Sequence, residues 1–190
     1  MASQALTNLL LLFSLLSPFF FFFFLVSPAA AADKDLIEQT CEFAEYYKES
    51  CIGTLRSEPA SERAADVPGL VAIMLDKAKA VAKEAQDYIS MMLQNCNSAD
   101  TRLVLTGCHK VFDIASTSID QTLEALVAKD FYEAEAQGET IEEVSGCDDY
   151  FSFHENVEYP SEIYKKTFHL VDLADMITNI ITALKNNQIR

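Results

Sequence analysis

DVPGLVAIMLDKAKAVAKEAQDYISMMLQ, residues 66–94, reads as one long amphipathic helix. Val67, Met74, Val81 and Tyr88 recur every seven residues, and Val71, Ala78, Ala85 and Met92 form a second row four positions later. On a helix of 3.6 residues per turn the two rows lie side by side and make one apolar stripe, wide enough to bury against neighbours. Asp66 has the short acceptor side chain of an N-cap, and Pro68 falls in the first turn, where a missing N–H costs nothing.

The sequence after this helix keeps the same period. A second pattern begins near Ser98 and reaches about Ala128, with Val104, Cys108, Val111, Ala115, Ile119, Thr122 and Leu126 on its stripe. A third opens at Asp130 with Glu133 three residues on, a capping-box spacing with Asp as the cap. It reads as short, interrupted by Gly138 and ending before Gly146-Cys147. The last follows Pro160 and carries Ile163, Leu170, Leu173, Ile177, Ile180 and Leu184. No run alternates in the manner of a strand. Four helices with short connections predict an all-α fold, an up-down-up-down four-helix bundle over residues 66–190.

The other end of the chain has a different character. Leu9 to Val26 is an 18-residue run without a charge, followed by Ser27-Pro28 and four alanines up to Ala32. Eighteen apolar residues stand at the lower edge of what spans a bilayer. Pro18 within the run, the small-residue exit and the lack of flanking Lys or Arg favour a cleaved secretory signal over residues 1–32, although no basic side chain precedes the run. Cleavage there leaves one domain, 33–190, secreted and free of the membrane, with the outside of the cell as its destination. The whole net charge of −15 belongs to that domain. Nucleic acid is excluded as a partner, because phosphate contacts need a clustered basic surface, and a basic protein is the natural partner instead.

All five cysteines, Cys41, Cys51, Cys96, Cys108 and Cys147, follow the leader, so two bridges and one thiol are expected. Cys41 and Cys51 lie ten apart, about 15 Å in a continuous helix. A disulfide needs its Cα atoms within roughly 7 Å, so a bridge between these two requires the chain to double back as a short helical hairpin. Cys96 and Cys108 flank one inter-helix turn, and a bridge between them is geometrically conceivable as well.

The segment CEFAEYYKESC, 41–51, followed by IGTLRSEPASERAADVPGL, resembles the start of the plant invertase and pectin methylesterase inhibitor family. LTGCHKVFDIASTSIDQTLEAL is similar to the family's third cysteine word, with Phe112 where Tyr is usual. KDFYEAEAQGETIEEVSGCDDYF is similar to its fourth, and DLADMITNIITAL to its closing helix. The resemblance implies a bundle preceded by a disulfide-closed hairpin over 33–65, with Cys41 bonded to Cys51, Cys108 bonded to Cys147, and Cys96 as a free thiol. It further implies a rigid inhibitor in the plant apoplast that forms a 1:1 complex with a cell-wall carbohydrate enzyme, either pectin methylesterase or acid invertase, and covers its substrate cleft.

Invertase inhibitors of the family carry a Pro-Lys-Phe word between the second and third bundle helices. Lys129, Asp130 and Phe131 stand at the matching positions and are the target-binding candidates. Asp130 in place of the lysine reverses the charge that would meet a glycosidase's carboxylates, which favours pectin methylesterase. Asp130 as a helix cap and Phe131 as its packing neighbour need no target at all.

No catalytic pattern is legible. His109, His154 and His169 form no H-E-x-x-H, there is no G-x-S-x-G or phosphate loop, and no cofactor is implied. Cys108 and His109 are adjacent and so point about 100° apart on a helix, a poor geometry for proton transfer. Glu142-Glu143 and Asp148-Asp149 read as solvated carboxylates. A secreted bundle serving as a carrier or storage protein without inhibitory activity is the alternative.

Overall fold

The computed structural model describes residues 35–189; the leader read over residues 1–32 lies outside the described residues. These residues fold as a helical hairpin followed by a four-helix bundle.

The hairpin consists of α1 (Leu36–Cys41) and α2 (Lys48–Arg56), joined through a 3-10 turn at Glu45–Tyr47. Glu45, with φ of 50°, takes the left-handed conformation that reverses the chain. The reversal brings the Cys41 and Cys51 Cα atoms to 5.6 Å, and the two cysteines are bonded. Ile37, Thr40, Cys41, Ala44, Cys51 and Leu55 are buried, and Arg56 ties the exposed side by reaching Asp35 and Glu38.

The bundle begins with α3 (Val67–Gln94) and α4 (Ala99–Ala128). The Asp66 carboxylate accepts the Gly69 N–H at 2.9 Å, and the Ser98 hydroxyl accepts that of Thr101 at 3.4 Å. The third helix departs from its sequence reading. It runs as α5 (Phe131–Ile141), tightens into a 3-10 turn at Glu142–Ser145 and resumes as α6 (Gly146–Ser152), so it passes through Gly138 and continues beyond Gly146-Cys147. The reason is a change of period. Gly138, Ile141, Val144 and Cys147 are buried at intervals of three, and three residues per turn is the repeat of a 3-10 helix. Gly138 allows close approach rather than a break: a Cβ there would lie 2.8 Å from Thr178 Oγ1.

The fourth bundle helix is α7 (Ser161–Lys185). Its length and composition would suit a membrane span, but 61% of its apolar window is buried within the fold, as in a core helix. Two-residue and four-residue connections after α4 and α3 force antiparallel neighbours, and the pairs α3–α4, α4–α5, α5–α7 and α7–α3 close the ring around the core. Phe112, Leu70, Met74, Leu105, Ile119 and Leu170 are among its large, fully buried side chains. Each stripe read from the sequence faces inward, with Tyr88, Met92 and Val111 half-buried at its margins.

The second bridge joins Cys108 on α4 to Cys147 on α6 across a separation of 39 residues. Closing a loop of that size in the unfolded chain is worth about 4 kcal/mol on loop-entropy grounds. Cys96 is free, with its Sγ donating to the Ser98 carbonyl at 3.3 Å.

Candidate functional site

The turn from α4 to α5 carries the three residues singled out by their sequence position. Lys129 ends α4 with φ of 60°. Its N–H donates to the Leu126 carbonyl at 3.0 Å, and the N–H of Asp130 reaches back to the Ala125 carbonyl at 2.9 Å. These are the two hydrogen bonds of a Schellman turn, built here on lysine where glycine is usual. A left-handed lysine costs about 1 kcal/mol, and Lys129 is exposed at the end of the bundle.

Asp130 and Phe131 face the other way in function. The Asp130 carboxylate caps α5 by accepting the Glu133 N–H at 3.2 Å. The return half of the capping box is missing, because the Asp130 N–H is spent on Ala125 and the Glu133 carboxylate accepts from Gln137 at 2.8 Å. Phe131 is half-buried and packs on the core. Around the turn Lys129 and Asp130 are both exposed, together with two residues that the sequence reading passed over. Val127 is 76% exposed and Tyr132 is 75% exposed. Tyr132 is nonetheless held: the Lys185 ammonium stands 5.5 Å from its ring centroid and also pairs with Glu135. Burial pushes the Glu135 carboxyl up, but hydrogen bonds from Lys185 and Thr182 outweigh it and keep the group below its usual range, hence charged. The result is an aromatic and an aliphatic side chain displayed beside a lysine, with the aromatic one braced by Lys185.

The His109 Nε2 lies 3.2 Å from Ser90 Oγ, and its Nδ1 lies 3.1 Å from Asp113 Oδ2. Gln86 fixes the carboxylate by donating to Oδ1 at 2.7 Å, and a shallow concavity of about 360 Å³ adjoins the chain of bonds. The order serine, histidine, aspartate matches an acyl-transfer triad. The surroundings do not. Ser90 is in the interior of α3, where backbone N–H groups are committed to the helix ladder, since only the first four of a helix are free. The backbone around Ser90 therefore leaves no N–H pair to hold an oxyanion, the largest single contribution to such catalysis. The arrangement serves as a polar tie between α3 and α4. His154 bonds its own helix through the Tyr150 carbonyl at 2.8 Å, and His169 lines a polar groove with Lys77 and Lys166. Among the described residues no group of three or more His, Cys, Asp and Glu side chains converges on a metal position.

A family model described as "Plant invertase/pectin methylesterase inhibitor" matches residues 35–183, nearly all of the described chain. A search of curated protein sequences gave no match. Among solved structures, a mutant form of a pectin methylesterase inhibitor from Arabidopsis superposes with a TM-score of 0.67 at 14% identity, covering 78% of this chain and 97% of that one. A pectin methylesterase inhibitor from Arabidopsis thaliana superposes with a TM-score of 0.58, also at 14% identity, covering 80% and 97%. At that identity the likeness speaks for the fold.

Proposed function

This chain belongs to the plant invertase/pectin methylesterase inhibitor family, and from that premise we propose that it is a secreted inhibitor that docks on a cell-wall carbohydrate enzyme and closes its substrate cleft. The observation that carries the reading is the family match over residues 35–183 on a bundle braced by two disulfides. In this reading residues 1–32 are the cleaved signal, 33–65 the hairpin and 66–190 the inhibitory bundle, released to the cell wall.

Pectin methylesterase is the favoured target and acid invertase the alternative, in a 1:1 complex. The preference rests on the turn: the position of the family's lysine holds Asp130, whose carboxylate is engaged in capping α5. A displayed end made of Val127, Lys129 and Tyr132 offers an apolar and hydrogen-bonding contact rather than a lone cation aimed at paired carboxylates. The test is titration of the mature chain into a plant pectin methylesterase and into an acid invertase. Stoichiometric loss of esterase activity with invertase unaffected is expected. Invertase inhibition alone reverses the choice of target, and inhibition of neither enzyme leaves the carrier or storage reading in its place.

A further inference from the structure

The outer face of α7 carries a row of side chains that the fold leaves uncovered. Tyr164, Phe168 and Asp172 follow one another at intervals of four, the spacing that places residues on one side of a helix. Tyr164 is 47% exposed and Phe168 is 43% exposed, and their ring centroids lie 4.5 Å apart. Behind them the aromatic contact runs into the core. The Tyr164 ring meets Tyr159 edge-on at 5.5 Å, and Tyr159 stacks on buried Phe151 at 4.1 Å. The Tyr159 hydroxyl donates to Thr167 Oγ1 at 3.2 Å, which anchors the inner rings.

Asp172 ends the row, half-buried and about 6 Å along the axis from Phe168. Among the described residues its carboxylate takes part in no hydrogen bond or ion pair. The neighbouring Asp175 accepts from the Tyr47 hydroxyl at 2.9 Å. The three lysines of α7 are turned to other carboxylates, Lys165 to Glu162, Lys166 to Glu84 and Lys185 to Glu135. Residues 130–159, which include α5 and the 3-10 turn packed against α7, contain no Lys or Arg. Burial and the charge of Asp175 hold the Asp172 carboxyl above its usual range, with His169 acting against the shift. An exposed aromatic pair thus leads to a carboxylate to which the described chain brings no lysine or arginine.

We propose that Tyr164, Phe168 and Asp172 form a docking site for a basic protein, taking one of its lysine or arginine side chains along the row. The stem of that side chain lies on the aromatic rings, which also attract its charge, and the cationic head meets the Asp172 carboxylate. A net charge of −15 selects this occupant over two others. A second copy brings the same negative charge, and an anionic membrane repels the carboxylate. The row is separate from the α4–α5 turn, since Lys185, which holds Tyr132, is about 20 Å from Asp172 along the helix. The inference holds whether or not the chain inhibits either enzyme.

The experiment titrates the mature protein with a capped tetra-arginine peptide at low ionic strength and follows backbone amide shifts by NMR. A capped tetraserine peptide is the uncharged probe. Shifts centred on residues 164–175 are expected with the arginine peptide alone. Asp172→Asn and Phe168→Ser should each weaken binding at least fivefold. Glu124→Gln removes the same charge from an exposed position on α4, diagonally across the ring, and should change binding by less than twofold. Equal weakening by Asp172→Asn and Glu124→Gln, or shifts scattered over the acidic surface, would show attraction by bulk charge and overturn the site. Binding indifferent to Phe168→Ser overturns the aromatic contact, and the same shifts with tetraserine overturn the choice of a cation. Shifts at 164–175 that grow with protein concentration in the absence of peptide would give the face to a second copy and overturn the basic partner.

Discussion

Replacing Gly107 by alanine tests the packing beside the Cys108–Cys147 bridge, because two opposing effects of known size meet there. Gly107 lies in the interior of α4, where a Gly→Ala change alone should stabilise by about 1 kcal/mol. The new Cβ, however, would lie 2.5, 2.6 and 2.7 Å from Cε1, Cζ and Cδ1 of Tyr150. Ordinary contact begins near 3.4 Å, so the ring must retreat by most of an ångström or swing outward. Tyr150 is half-buried and packed on the core three residues after Cys147, so either response uncovers apolar surface. Overpacking of this kind costs about 1–3 kcal/mol, and the net expectation is a loss of about 1 kcal/mol. Gly53, in α2, is the matched control, since a Cβ there meets nothing within 4 Å; Gly53→Ala should stabilise by about 0.5–1 kcal/mol. Urea unfolding with the disulfides intact reads both. In a Tyr150→Ala background Gly107→Ala should become stabilising, with a coupling of about 2 kcal/mol between the two sites. A stabilising Gly107→Ala in the otherwise wild-type chain would refute the placement of Tyr150 against α4.

Other consequences are open to direct measurement. Tyr132→Ala should weaken inhibition of the target at least tenfold while leaving the melting temperature within about 1 °C, whereas Phe131→Ala should cost about 2–3 kcal/mol of stability; equal effects of the two on inhibition would remove Tyr132 from the contact. Lys129→Gly should raise stability by about 1 kcal/mol by relieving the left-handed lysine, and a loss of stability would mean that the side chain is needed for folding. Ser90 should stay unmodified by an organophosphate or sulfonyl fluoride on intact-mass analysis, for want of an oxyanion site; stoichiometric labelling that requires His109 would reverse that reading. Breaking the Cys108–Cys147 bridge by Cys→Ala at both positions should cost about 4 kcal/mol in denaturant unfolding.

The bundle was legible because its cores are periodic. Val67, Met74 and Val81, or Ile163, Leu170 and Ile177, announce a buried helix face at a spacing no other element uses. The third helix is obscured for a comparable reason. Its buried residues Gly138, Ile141, Val144 and Cys147 keep a period of three rather than 3.6, so the glycine inside the run reads as a break. The Schellman turn was hidden because lysine occupies a position whose usual signal is glycine. Tyr132 escaped because an exposed aromatic has the same one-letter appearance as a buried one, and its neighbour Phe131 accounts for the apolar position. The Ser90–His109–Asp113 chain and the Tyr47–Asp175 bond could not be found by spacing at all, since each joins side chains on different elements that only the folded chain brings together.

The placement of the two covalent bridges divides the molecule unequally in the face of proteases. A cut in the backbone between Cys108 and Cys147, or between Cys41 and Cys51, leaves both ends bonded to each other, so a nicked protein would keep its shape and run as one species until reduced. The connection from α6 to α7 has no such insurance. It is the longest link in the bundle, residues 153–160, and begins with Phe153, which is 82% exposed and a natural site for a chymotrypsin-like enzyme. Cleavage there would leave α7 without a covalent tie, held by its twelve buried residues and by side-chain bonds such as Tyr47–Asp175 and Lys185–Glu135.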